Sequence, residues 1–506
     1  MNEEWLEISE VKIPREDWEA TPASVQAVVM RQWQNTKELK ERLGKLEAQL
    51  SQLEERLKQN SKNSSRPPSR DERECGKEEK KQNQSNKSGR KRGGQAGHKG
   101  HQRYLYEEGS CQEVKNYYPQ VCKSCGAELN GEDEAPYRHQ VVELPPLKPQ
   151  VTEHRLHQRV CRECGSKTRA KLPPQVSSSG YGEGVAALVG LLSGRHHQSH
   201  RQVKELMSEV FDVHLSTGSV NRLRREMSQA VLPAVEQAQE YLQSQRVIGS
   251  DETSFEQHNG DGSNPQNNSG WLWVVVSPLV CVFQVALSRS QATAKQLIGE
   301  SFEGIVTSDR YSAYNWIPLA QRQLCWAHVK RDLVAISERS GASAEIGQAL
   351  LQRQRRLFRW WHRVRDGTLT HSQFQTAVAH LRDGFTAELA QAAELDIAPR
   401  EKTPLARTVR TCRKLLQFES ALWTFVEHPG VEPTNNSAER ALRPAVIWRR
   451  LSFGSHSQAG SEFVARMLTV VTTLKAQQRG VLDFLTQACR AARLGETVPS
   501  LLPHPD

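Results

Sequence analysis

Three acidic residues stand where carboxylates could gather a metal ion. Asp251 closes the apolar run RVIGSD (246–251), and Asp309 closes a second one, GIVTSD (304–309). Each carboxylate follows a stretch of strand character whose last residues are small. Two carboxylates at the ends of neighbouring strands can converge on one hard cation. A third acid is needed to hold two magnesium ions roughly 3.5–4 Å apart for in-line phosphoryl transfer. Glu439, in PTNNSAERALRP, is the candidate. Asn436, Glu439, Arg440 and Arg443 fall at i, i+3, i+4 and i+7 and so share one helical face. That face would present a carboxylate to metal, and an amide and cations to phosphate. Blander readings exist for each. Asn436 and Glu439 also fit a capping-box variant, and an aspartate at a strand end can simply be solvated. Glu252 is the rival acid beside Asp251, but alternation along a strand points it to the opposite face.

The cysteines offer a second chemistry. Of ten, four form Cys122-x-x-Cys125 and Cys161-x-x-Cys164, each followed by glycine in VCKSCG and VCRECG. A tight turn of this kind aims two thiolates at one point, and four thiolates satisfy tetrahedral zinc in a closed, structural site. With no export signal visible at MNEEWLEISE, paired cysteines read as metal ligands rather than disulfides. Cys325 and His328, in CWAH, are a third possible metal pair, but no second pair accompanies them. Lys330 and Arg331 follow directly and could face DNA.

The elements that would position these groups are legible from periodicity. Leu39, Leu43, Leu46, Leu50, Leu53 and Leu57 alternate spacings of four and three, the a/d seam of a coiled coil over about 24–58, with Val25 and Val29 in register. Residues 61–110 form a basic linker. Between 61 and 103, 13 Lys/Arg oppose 5 Asp/Glu and large apolar residues are absent, so nothing there builds a core. Arg90, Lys91 and Arg92 are its densest phosphate-contacting cluster. Residues 111–175 carry the zinc pattern, with HQVVELPP and PQVTEHRLHQRV predicted as short strands. Residues 176–240 read as helical. There HRQVKELMSEVF, a polar break and LSTGSVNRLRREM resemble a helix-turn-helix, with Ser216 or Thr217 as N-cap. Residues 246–332 switch to a β-β-β-α-β order. A helical segment follows at 333–430, then 431–470 with the third acid and a helical end at 471–506.

Composition agrees with a multidomain α/β protein that meets an anion. The chain has 506 residues, a net charge of +10 and a mean hydropathy of −0.66. The basic excess points to nucleic acid. No stretch approaches the ~18 apolar residues of a membrane span.

Read in order, the phrases NSSRPPSRD (63–71), GGQAGHKGH (93–101), VVELPP, SDET (250–253), SDRYSAYN (308–315), CWAH (325–328) and NNSAERALRP (435–444) resemble the DDE transposases of insertion sequence 66 type. The resemblance implies an RNase H-like core with a helical insertion between the second and third acids. It also implies Asp251, Asp309 and Glu439 as the catalytic acids, holding two Mg2+ ions or Mn2+. The intervals of 58 and 130 residues fit, and the longer one matches the helical segment read independently at 333–430. Zinc on the four cysteines would be structural. Expected partners are the element's terminal repeats, target DNA, a second copy through the coiled coil and small accessory proteins encoded alongside. The expected place is the bacterial cytoplasm, at the nucleoid. One departure is visible: VKRDL, with Asp332, replaces the longer basic run common after CWAH. The competing readings are a non-catalytic zinc-containing DNA-binding derivative and a nuclease with no joining activity.

Overall fold

A computed structural model of the chain describes residues 5–8, 11–57, 59–64, 104–131, 133, 135–173 and 176–503. The basic cluster Arg90, Lys91 and Arg92 lies outside the described residues. The chain divides into two compact units. The larger comprises 1–71, 153–206 and 214–506, and the smaller 72–152 with 207–213.

The larger unit begins with an antiparallel hairpin of β1 (Trp5–Ile8) and β2 (Val11–Pro14), then α1 (Arg15–Glu19) and α2 (Ala23–Leu57). The expected long helix therefore forms, within one residue of its predicted ends. Its six seam leucines are 55–82% exposed. An apolar stripe left open along about five turns is a face that covers itself only by packing on something else.

The sequence-predicted strands around the cysteine pairs are mostly absent. Among the described residues only β3 (Gln158–Val160) and β4 (Lys167–Arg169) form there, as a short antiparallel pair. HQVVELPP adopts no regular strand. Its valines are exposed, and Pro145, Pro146 and Pro149 cannot donate to a ladder.

Helices α3 (Glu183–Gly194), α4 (His200–Phe211), α5 (Thr217–Ala230) and α6 (Leu232–Gln243) follow. Ser216 is the N-cap of α5, its hydroxyl accepting from the Ser219 amide at 3.0 Å. Helix α5 buries Val220, Leu223 and Met227 and leaves Asn221, Arg222 and Arg225 exposed.

The central sheet comprises β5 (Val247–Ser254), β6 (Trp271–Val276), β7 (Cys281–Ala286), β8 (Ile305–Ser308) and β9 (Arg322–Leu324). Its order is β7-β6-β5-β8-β9, antiparallel through the first three strands and parallel through the last three. Helix α7 (Gln291–Ile298) connects β7 to β8. β6 is buried at every position but its first, so its unbroken WLWVVV run is that of a strand covered on both faces. The edge strand β7 is sealed by α14 (Gln458–Ala476). Thr469 and Thr473, one turn apart, accept the Phe283 and Cys281 amides at 2.9 and 3.0 Å. Without those hydroxyls the amides would be free to pair with another chain.

Between β9 and the last helices lie α8 (Trp326–Ser337), α9 (Ala342–Arg365), α10 (His371–Glu394), α11 (Pro404–Gln417) and α12 (Glu419–Glu427). Their core joins Leu350, Leu357, Trp361, Phe374, Phe385 and Trp423 to Trp326 at the start of α8. The Trp326 ring sits 5.3 and 5.4 Å from Phe385 and Trp423, and its indole N–H donates to the Leu422 carbonyl at 2.7 Å. The helical segment read at 333–430 is thus a packed insertion whose core grips the residue next to Cys325. Helices α13 (Asn436–Ser452), α14 and α15 (Val481–Leu494) complete the unit, and α13 lies against β5 and β6.

Candidate active site

Asp251 is not at a strand end. β5 continues to Ser254, and Asp251 pairs with Val274 on β6. On its other side, pairing with β8 stops at Gly249, so Asp251 stands just beyond the shorter neighbour. Asp309 is the first residue after β8, and Glu439 lies in the first turn of α13. The three acids come within electrostatic reach. Burial first, then the charges of Glu252, Asp309 and Glu439, push the Asp251 carboxyl well above the ordinary carboxylate range, against one amide bond from Glu252 at 2.9 Å. Asp251 keeps part of its surface open, yet protein crowds it on most sides. Burial also raises the Glu439 carboxyl, with Asp309 adding to the shift and Arg331 and Arg443 opposing it.

The capping alternative for Glu439 is not what the helix uses. Asn435 is the cap residue, and it makes no side-chain cap bond. Its amide group reaches β5 instead, donating to the Ser250 carbonyl at 2.7 Å. A side chain at Gly249 would collide with it, since a Cβ there would stand 2.7 Å from Asn435 Oδ1. Glycine in the strand therefore lets the helix start approach the sheet.

Glu252, the rival acid, is already satisfied. Its side chain is almost wholly buried, with Arg289 Nε and Nη2 on Oε1 at 2.9 and 2.6 Å and the Tyr314 hydroxyl donating to Oε2 at 2.5 Å. The Arg289 guanidinium lies over the Tyr311 ring, 3.7 Å from its centre, and Tyr311 donates to the Arg289 carbonyl. A carboxylate held by a cation and a phenol has little left for a metal.

Asp309 is fixed through its backbone and its carboxylate. Oδ1 accepts the Tyr311 amide at 2.8 Å. Arg322, fully buried on β9, donates to the Asp309 carbonyl at 2.8 Å and to Asn315 Oδ1 at 3.1 Å. Burial lowers the Arg322 guanidinium to about 10, partly offset by Asp309. Asp332, the departure noted after CWAH, is the partner of Arg310. Asp309, Arg310, His328, Arg331, Asp332 and Ser64 line a cavity of about 200 Å³.

Sequence reasoning missed Arg289, Tyr314, Arg322 and Asn435. Arg322 carried a signal: a charged residue inside a short run that must be buried. Asn435 carried one too, as the asparagine immediately before the helix. Among the expected DNA contacts, Lys330, Asn436, Arg440 and Arg443 are exposed. Arg331 is half-buried, with Nη2 3.9 Å from Glu439 Oε1.

Among the described residues, the one set of three His, Cys, Asp or Glu side chains whose ligand atoms all lie within 4.8 Å is Cys325, His328 and Glu439. His328 Nδ1 is 3.7 Å from Glu439 Oε1. Burial and Arg331 lower the imidazole to about 4, and burial pushes the Cys325 thiol up to about 11.

The two cysteine knuckles are near copies of one turn. Cys122 donates its amide to Ala127 O and accepts from Gly126 N, at 2.8 and 2.9 Å. In the other unit, Cys161 does the same with Ser166 O and Gly165 N, at 2.8 and 3.0 Å. Gly126 and Gly165 hold φ of +73° and +71°, which glycine adopts without strain. Backbone bonds from Ser124 and Cys125 lower the Cys122 thiol, and the Ser166 hydroxyl does most to lower Cys164. These turns favour thiolates, the form that binds metal.

The chain thus has a mixed five-stranded sheet with acids in and beside it, and it has two cysteine knuckles of one design. The family model described as "Transposase IS66 family" matches residues 179–463, more than half of the chain, and the chain belongs to that family. The model for the zinc-finger binding domain of transposase IS66 matches 119–165, which includes all four knuckle cysteines and supports zinc binding. A family of unknown function matches 11–104. Among curated proteins the chain is similar to two from Sinorhizobium fredii. It is 25% identical to uncharacterized protein y4qI over 44% of this chain and 43% of that one. It is 23% identical to uncharacterized protein y4hP over 71% of this chain and 68% of that one. The chain thus spans less than half the length of the first. Among the described residues, no helix is long and apolar enough to cross a membrane.

Proposed function

We propose that this transposase cuts and joins DNA with a metal-dependent site built from Asp251, Asp309 and Glu439. The observation that carries the proposal is the crowding of carboxylates about Asp251, whose anionic form is costly until a cation joins it. Three acids from the middle of β5, the end of β8 and the first turn of α13 are an oxygen donor set suited to Mg2+, or to Mn2+. The strand order, with β5 at the centre, supports an RNase H-like core.

When bound, two such ions would supply Lewis-acid polarisation of the scissile phosphate and charge stabilisation of the entering and leaving oxygens. The chain's own residues do the positioning. Arg322 fixes the backbone that carries Asp309. Asn435 ties the start of α13 to β5 and so sets the reach of Glu439. Arg331 and Arg443 hold positive charge near Glu439, where phosphate oxygens would arrive. Lys330, Asn436 and Arg440 stand exposed beside them for the DNA backbone, and Arg90, Lys91 and Arg92 would extend that contact. Hydrolysis at the element end would free a 3′-hydroxyl, and that hydroxyl would then attack target DNA.

Zinc on Cys122, Cys125, Cys161 and Cys164 would be structural. The exposed leucines of α2 support pairing with a second copy, which would hold two element ends at once. The test is cleavage of a labelled terminal-repeat duplex by wild type and Glu439→Gln with Mg2+ or Mn2+. Loss of cleavage with DNA binding intact is the expected result. Undiminished cleavage sinks the assignment of the third acid. Binding without cleavage by the wild type itself would favour the non-catalytic DNA-binding derivative.

A further inference from the structure

Cys325 and His328 fall outside the three-acid set, yet they stand against its third member. Cys325 is the residue before α8, and His328 is in that helix's first turn. Glu439 is in the first turn of α13. Two bonds lock these helix starts together. The Trp326 amide donates to the Pro433 carbonyl at 2.9 Å, and the Asn435 amide donates to Cys325 Sγ at 3.2 Å. Trp326 is itself gripped by the aromatic core of the insertion. The donors are therefore held on rigid elements, as a metal site requires.

Asn435 Oδ1, which faces Gly249, is one buried atom at this junction without a hydrogen-bond partner; the other two are His328 Nδ1 and Glu439 Oε1. They face each other at 3.7 Å, too far for a hydrogen bond. Buried polar atoms are rarely left so. A cation between them would satisfy both, and the cavity beside His328 gives it a way in from solvent. The third donor within reach is sulfur. An imidazole, a thiol and a carboxylate suit a first-row transition ion. Mg2+ prefers oxygen alone.

We infer that Cys325, His328 and Glu439 form a mixed nitrogen, sulfur and oxygen metal site that takes a first-row transition ion in preference to Mg2+. The site shares Glu439 with the proposed catalytic set, but its donors stand together whether or not that set cleaves DNA.

The test uses the full chain with its zinc retained and Mn2+ as the probe, read by pulsed electron paramagnetic resonance. Manganese in this site carries a directly bound imidazole, which imprints 14N modulation on the echo; the four knuckle cysteines offer no nitrogen. The wild type should show the modulation, and it should persist in about tenfold excess Mg2+. His328→Ala and the polar, similar-sized His328→Gln should both lose it, with Mn2+ affinity falling about tenfold or more. Asp309→Asn should keep it. Modulation retained in both His328 variants, or absent from the wild type, overturns the proposal. Failure of the catalytic reading looks different: cleavage would survive Asp309→Asn while the nitrogen signal remained tied to His328.

Discussion

Asp251→Asn should stabilise the protein in the absence of magnesium and manganese. The substitution is isosteric, and Asn Oδ1 can still accept the Glu252 amide that Asp251 accepts at 2.9 Å. What it removes is a carboxylate desolvated by burial and faced by Glu252, Asp309 and Glu439. A buried polar group without full compensation costs about 1–3 kcal/mol, more when charged. Asp251 keeps part of its surface open, so about 1–2 kcal/mol is the expected gain. Asp251 lies in the larger unit, 1–71, 153–206 and 214–506. At about 2.1 cal/mol/K per residue a unit of that size shifts about 1 °C per kcal/mol, so Tm should rise roughly 1–2 °C. The sign with pH follows from linkage. The Asp251 carboxyl binds protons more tightly folded than unfolded, so the folded state holds the extra proton above the ordinary carboxylate range. Wild-type stability therefore falls as pH rises through that window. The gain from Asn should vanish below about pH 3, where both states are protonated, and grow as pH rises through and above the ordinary carboxylate range. Thermal unfolding at several pH values, with zinc retained, reads this directly. Added Mn2+ should raise Tm of the wild type more than that of the variant. A variant that melts lower than wild type at pH 8 refutes the claim that these carboxylates are in conflict.

Glu252→Gln should lose about 1–3 kcal/mol in urea unfolding although burial raises this carboxyl too, because one amide oxygen cannot accept from both Arg289 and Tyr314; the partial exposure of Arg289 places the loss toward the lower end. Arg322→Ala should lose on the order of 3 kcal/mol in the same measurement, since the Asp309 carbonyl and Asn315 are left without their donor. Stripping zinc with a strong chelator should release one ion per chain and abolish binding to the terminal repeats, as measured by metal release and mobility shift. Unchanged binding after zinc loss would separate the knuckles from DNA recognition.

Periodicity and spacing made much of this molecule legible. The leucine seam predicted α2, the apolar runs predicted β5 to β8, and the 130-residue interval anticipated the helical insertion. The candidate acids stand out because each lies in or beside a well-patterned element. In the cysteine segment the alternating valines suggest strands, but the prolines among them cannot donate to a ladder, and of the two runs the described residues show pairing at Gln158–Val160. Asp251 was misplaced at a strand end because the polar DETS that follows hides three more ladder residues. The partners of Glu252 and Asp309 lie 37 and 13 residues away along the chain. No local pattern encodes such pairings; they arise only when β7, β8 and β9 come together. Likewise Cys325 and His328 looked like half a metal site because their third donor, Glu439, lies in a helix beyond the entire insertion.

The most direct test of the central claim is excision in cells. A marker flanked by the element's own ends would be supplied with the wild-type protein or with Asp309→Asn. The account predicts marker movement with the wild type and none with the variant at equal protein level. Movement at the same frequency with Asp309→Asn would contradict it.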